Sequence, residues 1–546
     1  MRPRPRICRR LAWRNPLPAN RLSVPLSYTH FPARLALLGA ALMLNACAVL
    51  GPDYQQPEVD WLDDWQTSLY GQVGTPEQQA VADFRFWWLL FDDPTLNRLI
   101  ETARRENPSL QTAGLRILES RARLGIADST LYPQSQQLGA AVSYVNSRQR
   151  GGVQPNDDQD FTSYQGGFNL GWELDFWGRF RRGIESADAA FFASIANQQN
   201  LQVLLSAQVA ELYFAYRTTE LQIGIARDNA AIQKRSYQIT ERLYKRGEKS
   251  ELDLQQAKTQ YLATLSSVPS LQLTLIKTRN ALAALLGRPP GELPELAGPP
   301  ARLPAVEPVV IREIPAQSLM RRPDIRAAAY QVAAQSAQIG IAEADFYPSI
   351  ALLGSIGWSG NSLGASPDIT TLALGPSFSW NIFDHGAIAN NVRVEDALLQ
   401  QSIEQYQEAV LQAAHEIDDA AISVVKTAEK QLVLEQSVVA ARRSLALANS
   451  RYREGYADFQ RVLDAQSSLF SQTEKELTNQ SSYVSGVVAL YKALGGGWLD
   501  MPVQQLIPEK VRNRMQQRSD WGNLLSTPLP PEPSGSTPAA GTSPNE

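Results

Sequence analysis

Cysteine is almost missing from this chain, which has two in 546 residues, Cys8 and Cys47. A disulfide framework is therefore excluded. Histidine is nearly as scarce: His30, His385 and His415 lie far apart in sequence and form no ligand pattern, which argues against a histidine-based metal centre. No stretch of 18 apolar residues occurs, so no transmembrane helix is encoded. Gly495-Gly496-Gly497 breaks a helix but no Lys-Ser or Lys-Thr follows, as a phosphate-binding loop requires. Acidic residues are spread along helical stretches, where they solvate faces. These absences point away from an enzyme and away from any bound cofactor.

The first 46 residues contain eight arginines and no acidic residue, and close on the apolar stretch Leu35 to Ala46. That is the plan of a secretory leader. Leu44-Asn45-Ala46-Cys47 follows the form of a bacterial lipobox, in which Cys47 carries lipid and opens the mature chain; the plainer alternative is an ordinary cleavage site beside a chance cysteine. Ala48, in place of Asp, favours sorting to the outer membrane. Without the leader the chain keeps 43 basic against 55 acidic residues. Such a chain is a poor nucleic-acid binder, because phosphate neutralisation needs clustered Lys and Arg.

What is present in abundance is repetition. Arg242-Leu243-Tyr244-Lys245-Arg246-Gly247 returns 208 positions later as Ser450-Arg451-Tyr452-Arg453-Glu454-Gly455. The same offset pairs Trp172-Glu173-Leu174 with Trp380-Asn381-Ile382, and Gly178 with Gly386. Upstream the offset is 215, pairing Gly125-Ile126-Ala127 and Tyr132-Pro133 with Gly340-Ile341-Ala342 and Tyr347-Pro348. The chain is two copies of one unit of about 210 residues.

Each copy reads helix, two strands, long helix, turn, helix. In the first, apolar positions at helical spacing span 109–128, strands fill 136–174, a long helix runs 184–246 and a second continues to Leu286. Gly247 suits a left-handed position past a helix end, and Ser250 suits the next N-cap. The segment 288–315 holds eight prolines and is irregular. In the second copy the spacing predicts helix 323–344, strands 349–382, helix 387–454, a turn at Gly455 and helix 458–494. Between Gly386 and Gly455 lie 68 residues without Gly or Pro. A continuous helix of that length spans about 100 Å and must pack lengthwise against others.

The strands alternate. Phe168, Leu170, Trp172 and Leu174 interleave with Gly167, Asn169, Gly171 and Glu173. Leu372, Leu374, Phe378 and Trp380 interleave with Ala373, Gly375, Ser377 and Ser379. Taken singly, each strand suits half of a soluble sheet with its aromatic face on helices. Taken with the leader and the rods, a transmembrane β-sheet is the stronger reading. Lipid leaves no open edge satisfied, and four strands per chain are too few for a barrel, so several chains must join. Pro376, in mid-strand, sits awkwardly in that scheme.

These motifs carry a family resemblance. The chain resembles the TolC-like outer-membrane factors, and within them the lipoprotein branch serving multidrug efflux. The carriers are Cys47 with Gly51-Pro52-Asp53-Tyr54, Trp88 with Phe91 and Asp93-Pro94, Trp172 to Gly178, Arg321 to Arg326, and Tyr452-Arg453-Glu454-Gly455. The resemblance implies a mixed fold of α-helix and transmembrane β-strand. A homotrimer builds a 12-stranded β-barrel, four strands from each protomer, continued by a long periplasmic α-helical barrel. It implies a passive export conduit, lodged in outer-membrane lipid, whose tips meet a periplasmic adaptor (membrane fusion) protein coupled to an inner-membrane RND-type transporter. The tips would include Tyr244, Gly247, Ser250, Gly455 and Asp458. The periplasmic gate would fall at Arg451, Tyr452, Gln460 and Asp464, although Gln460 stands where the family carries a bulky apolar residue. Independently of resemblance, three copies of Asp464 around an axis would form a cation-favouring ring; the plainer alternative is a solvated helix position.

The expected organisation is a signal peptide (1–46), a lipid-anchored arm and short helix (47–107), repeat 1 (108–287, with its hairpin at 184–287) and a Pro-rich equatorial connection (288–322). Repeat 2 (323–495, with its hairpin at 387–495), a C-terminal equatorial segment (496–525) and a disordered tail (526–546) follow. The competing functions are a periplasmic coiled-coil scaffold without a pore, or an exit duct for metal ions or for type I protein secretion.

Overall fold

The computed structural model describes residues 49–62, 84–147, 159–298, 302–304, 306, 319–360 and 369–532. Cys47 and the leader lie outside the described residues. The duplication is metrically strict. Helix α2 (Pro108–Ser129) and helix α5 (Pro323–Ala344) each have 22 residues. Helix α3 (Arg179–Lys245) and helix α6 (Ala387–Arg453) each have 67. Helix α4 (Glu251–Leu285) and helix α7 (Phe459–Ala493) each have 35. Before them, a 3-10 helix (Phe84–Phe91) leads into α1 (Pro94–Glu106), where Asp93 caps the amides of Thr95 and Leu96. Two short helices follow the second repeat, α8 (Val503–Leu506) and α9 (Glu509–Arg518).

Helix α3 begins earlier than the sequence alone predicts, at Arg179 in place of 184, whereas α6 begins at the expected Ala387. Gly178 and Gly386 adopt left-handed φ of 78° and 88° as N-caps. The Asp175 carboxylate accepts from the Phe180 and Arg181 amides, and Asp384 accepts from Gly386 and Ile388 in the same way. This capping outweighs the propensity cost of Gly183, which obscures the helix start in the sequence. Pro269 is carried inside α4 on an exposed position, where the missing donor costs one ladder bond.

Strands β1 (Ser135–Ser147), β2 (Gln159–Glu173), β3 (Ser349–Gly360) and β4 (Ile369–Ser379) form one antiparallel sheet in the order β1-β2-β3-β4. The β2–β3 pair joins the two repeats across the whole first helical hairpin. Register sorts the side chains cleanly. Leu138, Phe168, Ile356 and Leu372 lie in one row across all four strands. The neighbouring row, on the opposite face, is Gln137, Asn169, Ser355 and Ala373. Opposite residues in antiparallel strands share a face, so one side of the sheet is apolar and the other is small or polar. Pro376 lies on β4, the outermost strand of the protomer's sheet, opposite Leu352.

The main core lies midway along the rods. Trp87, Trp88 and Phe91 of the 3-10 helix pack with α1, the middle of α3 and the end of α7, and Trp87 stacks on Tyr491 at 5.9 Å. The start of the tail is ordered, contrary to the sequence expectation for 526–546. Arg121 donates to the Thr527 and Pro528 carbonyls, Leu529 packs against the cluster around Phe191, and Arg326 pairs with Glu532. Composition suggests a disordered segment here, but the half-buried Leu529 and two arginines override it. Residues 533–546 lie outside the described residues.

Candidate conduit and periplasmic gate

The apolar face of the sheet is strongly exposed in the single protomer: Leu138 is 86% and Leu374 76% accessible. Water does not sustain a patch of this extent on an isolated soluble chain. At the foot of the sheet the two repeats use one device. Trp172 Nε1 donates to the Leu131 carbonyl at 3.1 Å, and Trp380 Nε1 donates to the Phe346 carbonyl at 2.9 Å. Strand β4 ends at Ser379, short of the expected 382, and Trp380 lies in the strand–helix junction. Tyr132, Tyr347 and Phe383 are exposed around these indoles, forming the aromatic girdle that marks a membrane interface.

An extended arm, 49–62, straps both repeats at this junction. The Leu50 amide donates to the Trp177 carbonyl. Arg182, 3% exposed, donates to the carbonyls of Leu50 and Gly51 and to the carboxylates of Asp53 and Glu185, all between 2.7 and 2.9 Å. Gly340 lets the arm pass: a Cβ there would stand 2.5 Å from the Leu50 oxygen. Further along, Leu62 and Val59 join the cluster around Tyr406 and Val410, and Gln56 donates to the Tyr406 hydroxyl. The sequence reading identified the arm but not Arg182. One member of an Arg181-Arg182 pair carries no signal of a buried partner.

At the far end both hairpins turn on a left-handed glycine, Gly247 at φ 76° and Gly455 at φ 83°. The amide of Gly247 returns to Tyr244, and that of Gly455 to Tyr452. Ser250 and Asp458 cap the helices that follow, accepting from the Asp253 and Arg461 amides. The two tips form one body, because Ala257, Leu445, Phe459, Val462 and Ala465 share a buried cluster with contributions from α4, α6 and α7. Tyr244 and Tyr456 are exposed at its end.

The four residues expected at the gate are placed as follows. Tyr452 packs its ring on Phe459 at 5.3 Å, and burial pushes its titration up. Lys249, which the sequence reading missed, lays its ammonium 4.8 Å from the Tyr452 ring and ties the first tip to the second. Gln460 donates to Asp464 at 2.8 Å, and both are exposed one turn apart on α7. Arg451 is exposed, and among the described residues no bond joins it to the other three.

Each hairpin is zipped internally by apolar contacts, and α3 and α7 of different hairpins share the apolar core around Phe214 and Val484 but also meet through polar contacts. Thr218 donates to Ser481, and Gln466 to Ser236, both at 2.9 Å. Gln233 is 1% exposed with neither amide atom bonded. Buried groups left unpaired are costly, so this seam is the weak joint of the helical body. On α7, Glu474 has a buried, unbonded oxygen, and burial raises its pKa. A raised folded-state pKa costs nothing while both states are protonated; the cost appears as pH rises above the unfolded value and is complete above the folded one. Glu474→Gln is accordingly expected to raise the melting temperature at pH 8 and leave it unchanged at pH 4, as thermal melts in detergent will read.

Residues 99–288 and 314–496 match the family model described as "Outer membrane efflux protein". The chain belongs to the outer membrane efflux protein family. Among its relatives is the solvent efflux pump outer membrane protein SrpC of Pseudomonas putida, 31% identical over 84% of this chain and 97% of that one. The cation efflux system protein CusC of Escherichia coli is 29% identical over 86% of this chain and 99% of that one. The solved outer-membrane channel OprN is 33% identical with a TM-score of 0.73, covering 83% of this chain and all of that one. Channels of this family are trimers that work with adaptor and inner-membrane transporter proteins in tripartite pumps. The outer-membrane efflux protein described here thus contributes four strands to a 12-stranded barrel, apolar face to lipid and polar face to the lumen, continued by an α-helical barrel. The alternative of a scaffold without a pore falls with that assignment.

Proposed function

We propose that this efflux protein is a passive duct, opening at its hairpin tips and lipid-anchored through Cys47, that receives cargo through a periplasmic adaptor from an RND-type transporter. The observation that carries the tip reading is the joining of both turns into one end, with Gln460 and Asp464 exposed on it. Adaptor contact falls on Tyr244, Gly247, Ser250, Gly455 and Asp458, which shape the two turns. The gate falls on Arg451, Tyr452, Gln460 and Asp464. A Gln460 amide bonded to Asp464 makes the constriction polar, so this seal rests on hydrogen bonds and charge in place of an apolar plug.

Relatives named for cations and for solvents match this chain almost equally. That supports a duct indifferent to its cargo, with selection made by the inner-membrane pump. Three Asp464 carboxylates around the axis form an anionic ring. Asp464→Ala is expected to lower the cation preference of single channels in planar bilayers and to raise basal conductance. Unchanged selectivity and conductance would place Asp464 on a solvated face outside the gate.

A further inference from the structure

The charge of this protein is segregated along its length. Residues 234–258 and 442–466, the ends of the two hairpins, hold twelve basic and seven acidic side chains. Everything else from residue 47 onward holds 31 basic and 48 acidic. A net acidic molecule therefore ends in a basic tip, and the trimer presents that tip three times over.

Helix capping explains only part of this. Arg242, Lys245, Arg451 and Arg453 sit in the last turns of α3 and α6, where cations favour the helix dipole. Glu251, Asp253 and Asp458 sit at helix N-termini, where the dipole offsets their own charge. Capping has no use for Lys234-Arg235 or Arg442-Arg443. These two dibasic pairs occupy the same place in each repeat, twelve residues before Gly247 and Gly455. All four side chains are exposed. At 1.5 Å per residue they stand about 18 Å above the turns. Glu476 on α7 lies within electrostatic reach of Arg442, but none of the four forms a salt bridge among the described residues, and the ion pair at the tips is Lys245 with Glu241.

We propose that the periplasmic end docks an acidic protein surface: the partner seated on the hairpin tips directs Asp and Glu side chains at a belt made by Lys234, Arg235, Arg442 and Arg443, with Arg246 and Arg453 at its rim. This rests on the adaptor-docking reading above and adds the chemistry of the partner. Single exposed ion pairs contribute little. The summed field of three basic ends steers an acidic partner and rejects a basic one, and its effect fades with salt.

The test uses the full-length trimer in detergent and, as probes, a synthetic adaptor-type helical hairpin with Asp and Glu around its tip and the same hairpin with Asn and Gln instead. The acidic hairpin is expected to bind at least tenfold more tightly in 50 mM NaCl, with the advantage shrinking to within twofold in 500 mM. Combined Arg235→Glu and Arg443→Glu removes the advantage without changing trimer melting, whereas Arg514→Glu with Arg518→Glu, on α9, leaves it intact. Equal binding of the two hairpins, or equal loss from both double variants, overturns the charge inference while docking at the tips survives. Binding of phosphatidylglycerol vesicles in preference to either hairpin assigns the belt to an anionic lipid surface and also overturns it. If neither hairpin nor vesicle binds, the adaptor reading fails and takes this inference with it.

Discussion

Ile356→Arg is expected to abolish trimer assembly in the outer membrane, while Ser355→Arg, one residue away, assembles normally. Ile356 stands in the apolar row with Leu138, Phe168 and Leu372, and Ser355 in the polar row with Asn169 and Ala373. An arginine on the lipid face near mid-membrane costs about 2–4 kcal/mol, and the trimer bears it three times. That sum rivals the whole stability of an ordinary domain. On the luminal face the same side chain stays in water, so Ser355→Arg should alter conductance and ion preference only. Heat-modifiable trimers on gels, with single-channel recording of whatever assembles, read both variants. Equal assembly of the two would invert the assignment of faces.

Arg182→Ala is expected to free the N-terminal arm from the barrel–helix junction. The guanidinium is buried and makes four bonds, two of them to backbone carbonyls and two charge-assisted to Asp53 and Glu185. Its removal strands the Leu50 and Gly51 oxygens and loosens the strap by about 2–4 kcal/mol. Arg182→Lys keeps the charge but loses the fork that reaches four acceptors, so an intermediate effect follows. Gly340→Val reaches the same end by steric means, since its Cβ would lie 2.5 Å from the Leu50 oxygen. Limited proteolysis within 49–62 should accelerate at least tenfold in Arg182→Ala and Gly340→Val. Unchanged cleavage in both would show that the arm is held elsewhere, through Leu62 and the Tyr406 cluster.

Much of this fold is legible in the sequence because its signals are local and doubled. Gly247 and Gly455 each require a left-handed φ, and Ser250 and Asp458 each require an amide to cap, so one repeat vouches for the other. Boundaries fail where a tertiary group intervenes. The start of α3 is hidden because Gly183 resembles a break and the capping Asp175 precedes it. The ordered 526–532 segment resembles a disordered tail because its anchors, Arg121 and Arg326, lie some 200 to 400 residues away. The tip was located from the turns, but Lys249 over Tyr452 was not, since one residue of a basic run looks like any other until a ring lies beneath it.

The amino-acid sequence by itself determined the elements of this efflux protein: two repeats, two long rods, strands that alternate, and glycine turns at matched places. Periods of 2 and 3.6 residues are written in neighbouring positions, so they need no knowledge of the fold. Only the tertiary structure decided which residues meet across it. The register that gathers Leu138, Phe168, Ile356 and Leu372 into one row, the burial of Arg182 under the arm, and the polar seam between hairpins all join residues remote in sequence. An alternating strand can slide by two residues without changing its pattern, and an arginine does not name its partner. Those choices are made by packing, where close contact allows one arrangement and refuses its neighbours.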